Sequence, residues 1–141
     1  MSIVLLGASG SIGCQSIDVM KKDRETFSLT GFSLGKRTRK ISSIVKNFPE
    51  VKHICIQDKS KINYYSKKYP SIHFYSGNEG LLQLIENASP DLVINALVGF
   101  VGLLPSIRTL ELNKDLALAN KESLVVGGEL INDLLAKGHG H

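Results

Sequence analysis

Apolar and polar positions along this chain follow two rhythms that take turns. Short apolar runs with strand character occur at Ser2–Leu6, Ser28–Leu34, His53–Ile56, Ile72–Tyr75, Asp91–Ala96 and Leu116–Ala119. Between them apolar residues recur at helical spacing. Ile12, Ile17 and Met20 mark a packed side after the first run, and Ile41, Ile44, Val45 and Phe48 mark another that Pro49 ends. Ile62 and Tyr65 face inward in a polar helix over Lys59–Lys68, stopped before Pro70; Leu81, Leu82, Leu84 and Ile85 mark a helix over Gly80–Asn87. Leu104 and Pro105 open a helix through Leu112, Pro being tolerated in a first helical turn, and Ser123–Leu135 reads as the last helix. Asp91–Ala96 is apolar on both faces, as a central parallel strand must be. Strand–helix alternation of this kind predicts an α/β fold, a doubly wound parallel sheet in a three-layer αβα sandwich.

No repeat, low-complexity stretch or linker interrupts the pattern, so residues 1–136 read as one domain, large enough to bury a core. Gly138-His139-Gly140-His141 resembles the start of a purification tag, and residues 137–141 are expected to be its remnant. A hydrophobic content of 43% and a charged content of 21% are ordinary for a globular domain. No apolar run approaches the roughly 18 residues needed to cross a bilayer. The immediate entry into a strand predicts no signal peptide. Cys14 and Cys55 form no metal-spaced pair, which with these features predicts a reduced, cytoplasmic compartment; Cys14 reads as a small packing residue. The net charge of +4 raises the question of nucleic acid. The cations are scattered, however, over Lys21, Lys22 and Arg24, then residues 36–40, then Lys59, Lys61, Lys67 and Lys68, with no stacking aromatics interleaved, so neither nucleic acid nor a membrane is expected as a partner. His53 and His73 lie in strands away from any acidic motif and read as structural.

The chemistry starts where the first strand ends, in Gly7-Ala8-Ser9-Gly10-Ser11-Ile12-Gly13. A sharp strand-to-helix turn leaves backbone N–H groups unpaired at the helix start, aimed at one spot. Glycines remove the Cβ atoms that would hold a ligand off those donors, and they tolerate the turn's unusual dihedrals. The ligand that fits is a phosphate or pyrophosphate, and the fold is then Rossmann-like. In such a fold the second strand ends near the adenosine ribose, about 20 residues past the glycines, where an acid selects NAD. Here that strand ends in Gly35-Lys36-Arg37-Thr38-Arg39-Lys40, with no Asp or Glu from Thr26 to Pro49. Cations at that point favour the 2′-phosphate of NADP; the alternative is a solvated basic loop opening the next helix. The other strand ends supply Asp58, Asn95–Gly102 and Asn120-Lys121-Glu122-Ser123. An N-cap accounts for Asn120 or Ser123 but not for the tetrad of donor, cation, anion and hydroxyl.

Taken together, Gly7-x-x-Gly10-Ser11-Ile12-Gly13, Gly35-Lys36, Asn95-Ala96-x-Val98-Gly99-x-x-Gly102-Leu103 and Ala119-Asn120-Lys121-Glu122-Ser123-Leu124-Val125 resemble the 1-deoxy-D-xylulose 5-phosphate reductoisomerase family across residues 1–136. The resemblance implies an NADPH-dependent enzyme of the non-mevalonate isoprenoid route. It rearranges 1-deoxy-D-xylulose 5-phosphate and reduces the product to 2-C-methyl-D-erythritol 4-phosphate. By resemblance, Ser9, Gly10, Ser11 and Ile12, within the Gly7–Gly13 loop, hold the pyrophosphate. Gly35, Lys36 and Arg37 hold the 2′-phosphate side, Ala96, Val98 and Gly99 line the nicotinamide half, Asn120 and Glu122 touch the cofactor, and Lys121 contacts the sugar phosphate. Ala8 departs from a more usual Ser, and Arg37 from Asn.

In the family an acidic Asp-Ser-Glu-His motif that binds Mg2+, Mn2+ or Co2+ follows the next strand. This sequence stops short of it and carries no catalytic or metal residues of its own by this reading. The resemblance therefore implies a fragment that binds NADPH without turning over substrate, and a homodimer for the full-length protein. Two other readings stand beside it. One is another NADP-dependent reductase such as a semialdehyde dehydrogenase, which needs a Cys or His that these strand ends lack. The other is a non-catalytic NADPH-sensing module.

Overall fold

The structure, a computed structural model, describes residues 1–36 and 38–118. Arg37, Ala119, Asn120, Lys121, Glu122, the helix expected over Ser123–Leu135 and the expected tag remnant all lie outside the described residues. Six parallel strands, β1 (Ser2–Leu6), β2 (Ser28–Leu34), β3 (His53–Ile56), β4 (His73–Ser76), β5 (Leu92–Asn95) and β6 (Asp115–Leu118), form one sheet in the order β4-β3-β2-β1-β5-β6. The helices are α1 (Ser11–Lys22), α2 (Lys40–Asn47), α3 (Ile62–Lys68), α4 (Gly77–Ala88) and α5 (Leu103–Glu111), with 3-10 turns ahead of α3 and α5.

Side chains alternate across a strand, and β1 shows the consequence most clearly. Ile3 and Leu5 join Ile17 and Met20 of α1 and Ile41 and Ile44 of α2 in one core. Val4 and Leu6 point the other way, to Leu81, Leu84 and Ile85 of α4, beside which α5 packs. The expected doubly wound αβα sandwich is therefore present. The chain winds outward from β1 to β4, returns through α4 to β5, and so reverses direction between β1 and β5. That junction is the switch point where open α/β sheets bind ligands, beyond the carboxyl ends of the strands.

Several boundaries differ from the sequence pattern. The α4 helix starts at Gly77, three residues before the apolar run suggests, and β4 starts at His73, although Ile72 is still buried. Asp91 stands just ahead of β5, and its carboxylate accepts from the Ser2 N–H at 2.9 Å, tying β5 to the start of β1. One expectation is corrected: Ile12 does not share the packed side of α1 with Ile17 and Met20 but is 42% exposed. At 3.6 residues per turn it lies roughly 140° around the helix from Ile17. Gly13, about 40° from Ile17, takes the buried position instead. The rings of His53 and His73 stack, and His53 Nδ1 lies 3.0 Å from the Tyr75 hydroxyl. Burial, followed by the neighbouring His73, lowers the His53 pKa. Among the described residues no helix is long and apolar enough to cross a membrane.

Candidate functional site at the switch point

The loop after β1 is held from below by β2. Ser33, only 2% exposed, accepts the Gly7 N–H on its hydroxyl at 2.9 Å and the Ala8 N–H on its carbonyl at 2.8 Å. Gly7 has φ +83°, and a Cβ there would meet the Ala96 carbonyl oxygen at 3.0 Å, so the β1 and β5 loops touch backbone to backbone. Gly13 is more constrained still: its Cβ would stand 2.1 Å from the Gly7 oxygen and 2.8 Å from Ala8 Cα. Helix α1 can seat against the loop only without a side chain there.

Gly10 is different. Its nearest neighbour to a Cβ would be the Gly7 oxygen at 3.7 Å, and its backbone, at φ −78° and ψ 172°, suits any residue. It is the N-cap of α1, yet no described side chain caps the helix and no acid stands in its first turn. The first helical bond runs from the Cys14 N–H to the Gly10 carbonyl, so the amides of Ser11, Ile12 and Gly13 precede the ladder. Exposed Ser11 and Ile12 and half-buried Ser9 surround them. Here is a positive helix end with an open approach.

Gly35 and Lys36 follow β2 directly, with Lys36 exposed. The basic run is not a uniformly solvated loop. Thr38 is buried and accepts the Tyr65 hydroxyl at 2.7 Å, which anchors the loop to α3, and Lys40 Nζ contacts Cys14 Sγ. Sequence reasoning found no acid within this stretch. Asp58, just after β3, has its pKa lowered by bonds from the Ser60 hydroxyl and N–H, with lesser attractions from Lys61 and Lys36.

Behind Gly35 a cavity of about 210 Å3 opens at the ends of β2 and β3, with apolar walls from Leu34, Ile56, Leu81 and Leu97 and amides from Gln57 and Asn78 at its edge. No motif pointed to it, because its walls come from four elements. Cys55 also borders it, and burial pushes that thiol up to about 12.

After β5, Ala96 is half-buried, Val98 is 78% exposed and Gly99 begins a 3-10 turn. The residue that shapes this loop is Asn95, which is fully buried. Its amide donates to the Gly102 carbonyl at 2.8 Å and the Ser106 hydroxyl at 2.7 Å, and its oxygen accepts the Leu97 N–H at 3.1 Å. Sequence reasoning placed Asn95 in a motif without giving it a role; a polar residue closing an apolar strand was the available signal.

The structure thus gathers Gly7, Ser9, Gly10, Ser11, Ile12, Gly13, Gly35, Lys36, Ala96, Val98 and Gly99 at one end of the sheet. Among the described residues no three His, Cys, Asp or Glu side chains converge to hold a metal ion.

Known proteins resemble this arrangement closely. The family model described as 1-deoxy-D-xylulose 5-phosphate reductoisomerase matches residues 3–128. A protein of that name from Lysinibacillus sphaericus is 38% identical over 130 residues, covering 92% of this chain and 34% of its own length. The solved structure of the Zymomonas mobilis reductoisomerase in complex with NADPH superposes with a TM-score of 0.86 at 25% identity, over 96% of this chain and 36% of that one. A reductoisomerase complex with NADPH, fosmidomycin and magnesium gives a TM-score of 0.88 at 29% identity, over 99% of this chain and 35% of that one. The chain spans about a third of the length of the curated relatives it matches.

Proposed function

This chain belongs to the 1-deoxy-D-xylulose 5-phosphate reductoisomerase family, and from that premise we propose that it is the NADPH-binding domain of such an enzyme. The observation that carries this reading is the contrast among the loop glycines. The protein's own packing requires Gly7 and Gly13, whereas nothing among the described residues crowds Gly10. Open space before uncapped helix amides, with no acid in the first turn, suits a pyrophosphate.

In this reading Ser9, Gly10, Ser11 and Ile12 hold the pyrophosphate. Gly35, Lys36 and Arg37 take the 2′-phosphate, and the base enters the cavity behind Gly35. Ala96, Val98 and Gly99 line the nicotinamide half. Asn120 and Glu122 also touch the cofactor, and Lys121 contacts the sugar phosphate. When bound, NADPH supplies the hydride. The chain's contribution is orientation: β1 and β5, locked through Gly7 and Ala96, fix the two halves of the cofactor relative to each other.

Conversion of 1-deoxy-D-xylulose 5-phosphate to 2-C-methyl-D-erythritol 4-phosphate belongs to the longer protein, which we place in the cytoplasm as a homodimer. Its divalent metal is held outside the residues described here. The 141-residue chain binds NADPH and does not turn over alone.

Fluorescence titration with NADPH and NADH tests this. A charged hydrogen bond to the 2′-phosphate contributes about 1.5–3 kcal/mol, so NADPH is expected to bind at least tenfold more tightly, with the preference shrinking in Lys36→Glu. Equal affinity for NADH, or a preference unchanged in Lys36→Glu, refutes the assignment. Turnover of sugar phosphate with Mg2+ by this chain refutes the division of labour.

A further inference from the structure

Cys14 and Lys40 have no part in the cofactor reading, yet they meet across two elements. Cys14 sits in the first turn of α1 and Lys40 begins α2. The Lys40 nitrogen is in direct contact with the Cys14 sulfur, at 2.7 Å. The pair is not sealed. Cys14 is half-buried, Lys40 is exposed, and both border a cavity of about 180 Å3 between the two helices, also lined by Ala8, Asp18 and Lys21. A small oxidant can enter there. The other described cysteine, Cys55, is buried and its thiol is pushed up to about 12, so it does not compete.

We propose that Cys14 and Lys40 form a peroxide-driven covalent crosslink, a sulfenamide, that fastens α1 to α2 beside the cofactor loop. Cys14, as its thiolate, attacks hydrogen peroxide. A sulfur–oxygen bond forms, the peroxide bond breaks, and hydroxide leaves, giving the sulfenic acid. The hydroxide takes a proton from the Lys40 ammonium. The free amine then displaces hydroxyl from sulfur, forming the sulfur–nitrogen bond and releasing water. In sum, one thiolate, one ammonium and one peroxide give one sulfenamide and two waters; sulfur is oxidised, peroxide is reduced, and no net charge is lost. Thiols regenerate the cysteine and the amine.

Two consequences follow for the loop. The Cys14 sulfur lies 3.7 Å from the Ala8 carbonyl and 4.0 Å from that of Ser9. Closing the gap to a bonded distance pulls it toward α2 and away from those carbonyls. The bond also ties the Lys40 nitrogen to Cys14, so that it can no longer donate as an ammonium to an anion bound beside Lys36. Both changes weaken an anionic cofactor's hold, a consequence that rests on the NADPH reading above.

The test treats the purified chain with a small excess of hydrogen peroxide, maps its peptides by mass spectrometry, and titrates NADPH before and after treatment. The expected result is a Cys14 peptide joined to the Lys40 peptide, lighter by two hydrogens than their sum and released by dithiothreitol. NADPH affinity is expected to fall at least threefold in the linked form and to recover on reduction. Cys14→Ser and Lys40→Arg are expected to show neither change. Peroxide-treated Cys14 carrying only added oxygens with Lys40 unlinked overturns the proposal, as does a linked chain that binds NADPH as tightly as the reduced one. If the reduced chain binds no NADPH, the cofactor reading fails, while the joined peptide still decides the crosslink.

Discussion

Replacing Gly13 and Gly10 separately by Ala asks the same side chain to do two different things within one loop. In a helix interior, Gly→Ala normally stabilises by up to about 1 kcal/mol. Gly13 reverses that sign, because its Cβ would lie 2.1 Å from the Gly7 oxygen and 2.8 Å from Ala8 Cα, both backbone atoms that cannot rotate away. Relief requires α1 to back off the loop and β1. Forced overpacking costs about 1–3 kcal/mol, occasionally more, and contact with backbone puts Gly13→Ala at the upper end. For a domain of this length, a loss of about 3 kcal/mol lowers Tm by roughly 10 °C. Gly10→Ala meets nothing closer than 3.7 Å. The chain-entropy gain of about 0.4–1 kcal/mol is offset by the poor capping of Ala relative to Gly, so Tm stays within roughly 2 °C. NADPH affinity should nevertheless drop at least tenfold, because the new methyl occupies the approach to the amides of Ser11 and Ile12. Thermal unfolding followed by circular dichroism, paired with NADPH titration at a temperature where both variants are folded, reads both effects. A Gly13→Ala variant that melts like the parent refutes the packing argument. A Gly10→Ala variant that binds NADPH normally refutes the reading of the open space.

Two further outcomes follow from polar side chains that bind backbone N–H groups. Asn95→Ala strips the half-buried Leu97 N–H of its acceptor, while the Gly102 carbonyl keeps the Ser106 hydroxyl at 3.0 Å. One orphaned donor and the lost packing cost about 2–3 kcal/mol, so a melting point unchanged within error counts against Asn95 as the loop's organiser. Glu50 links Arg24 at 2.6 Å to the Leu29 N–H at 3.0 Å. Burial raises its pKa, but the bonds from Arg24 and Leu29 outweigh burial and hold the carboxyl below its ordinary value. A lowered folded-state pKa contributes stability that is present above the unfolded value, about 4.3, and is lost as pH falls through the folded value. Glu50→Gln should therefore flatten the decline of Tm between about pH 5 and 3; an equally steep decline means that other carboxylates govern acid lability.

Sequence alone determined the layers of this protein and singled out the loop that is its candidate for phosphate. Alternating apolar runs and helical spacings are local consequences of one-sided or two-sided burial, so the six strands, the doubly wound sandwich and the Gly7–Gly13 turn were legible from residue types in order. Its errors were angular, as at Ile12, or lay at element ends, as at Gly77, where tertiary contacts decide the last turn. Only the folded chain decided which glycines packing requires and which it leaves uncrowded, because that depends on the distance from a missing Cβ to atoms of other segments. The same holds for the cavity behind Gly35, for the three bonds of Asn95, and for the meeting of Cys14 with Lys40. Each joins residues far apart in the chain, and proximity of that kind is produced by the winding of the sheet rather than by any pattern along it.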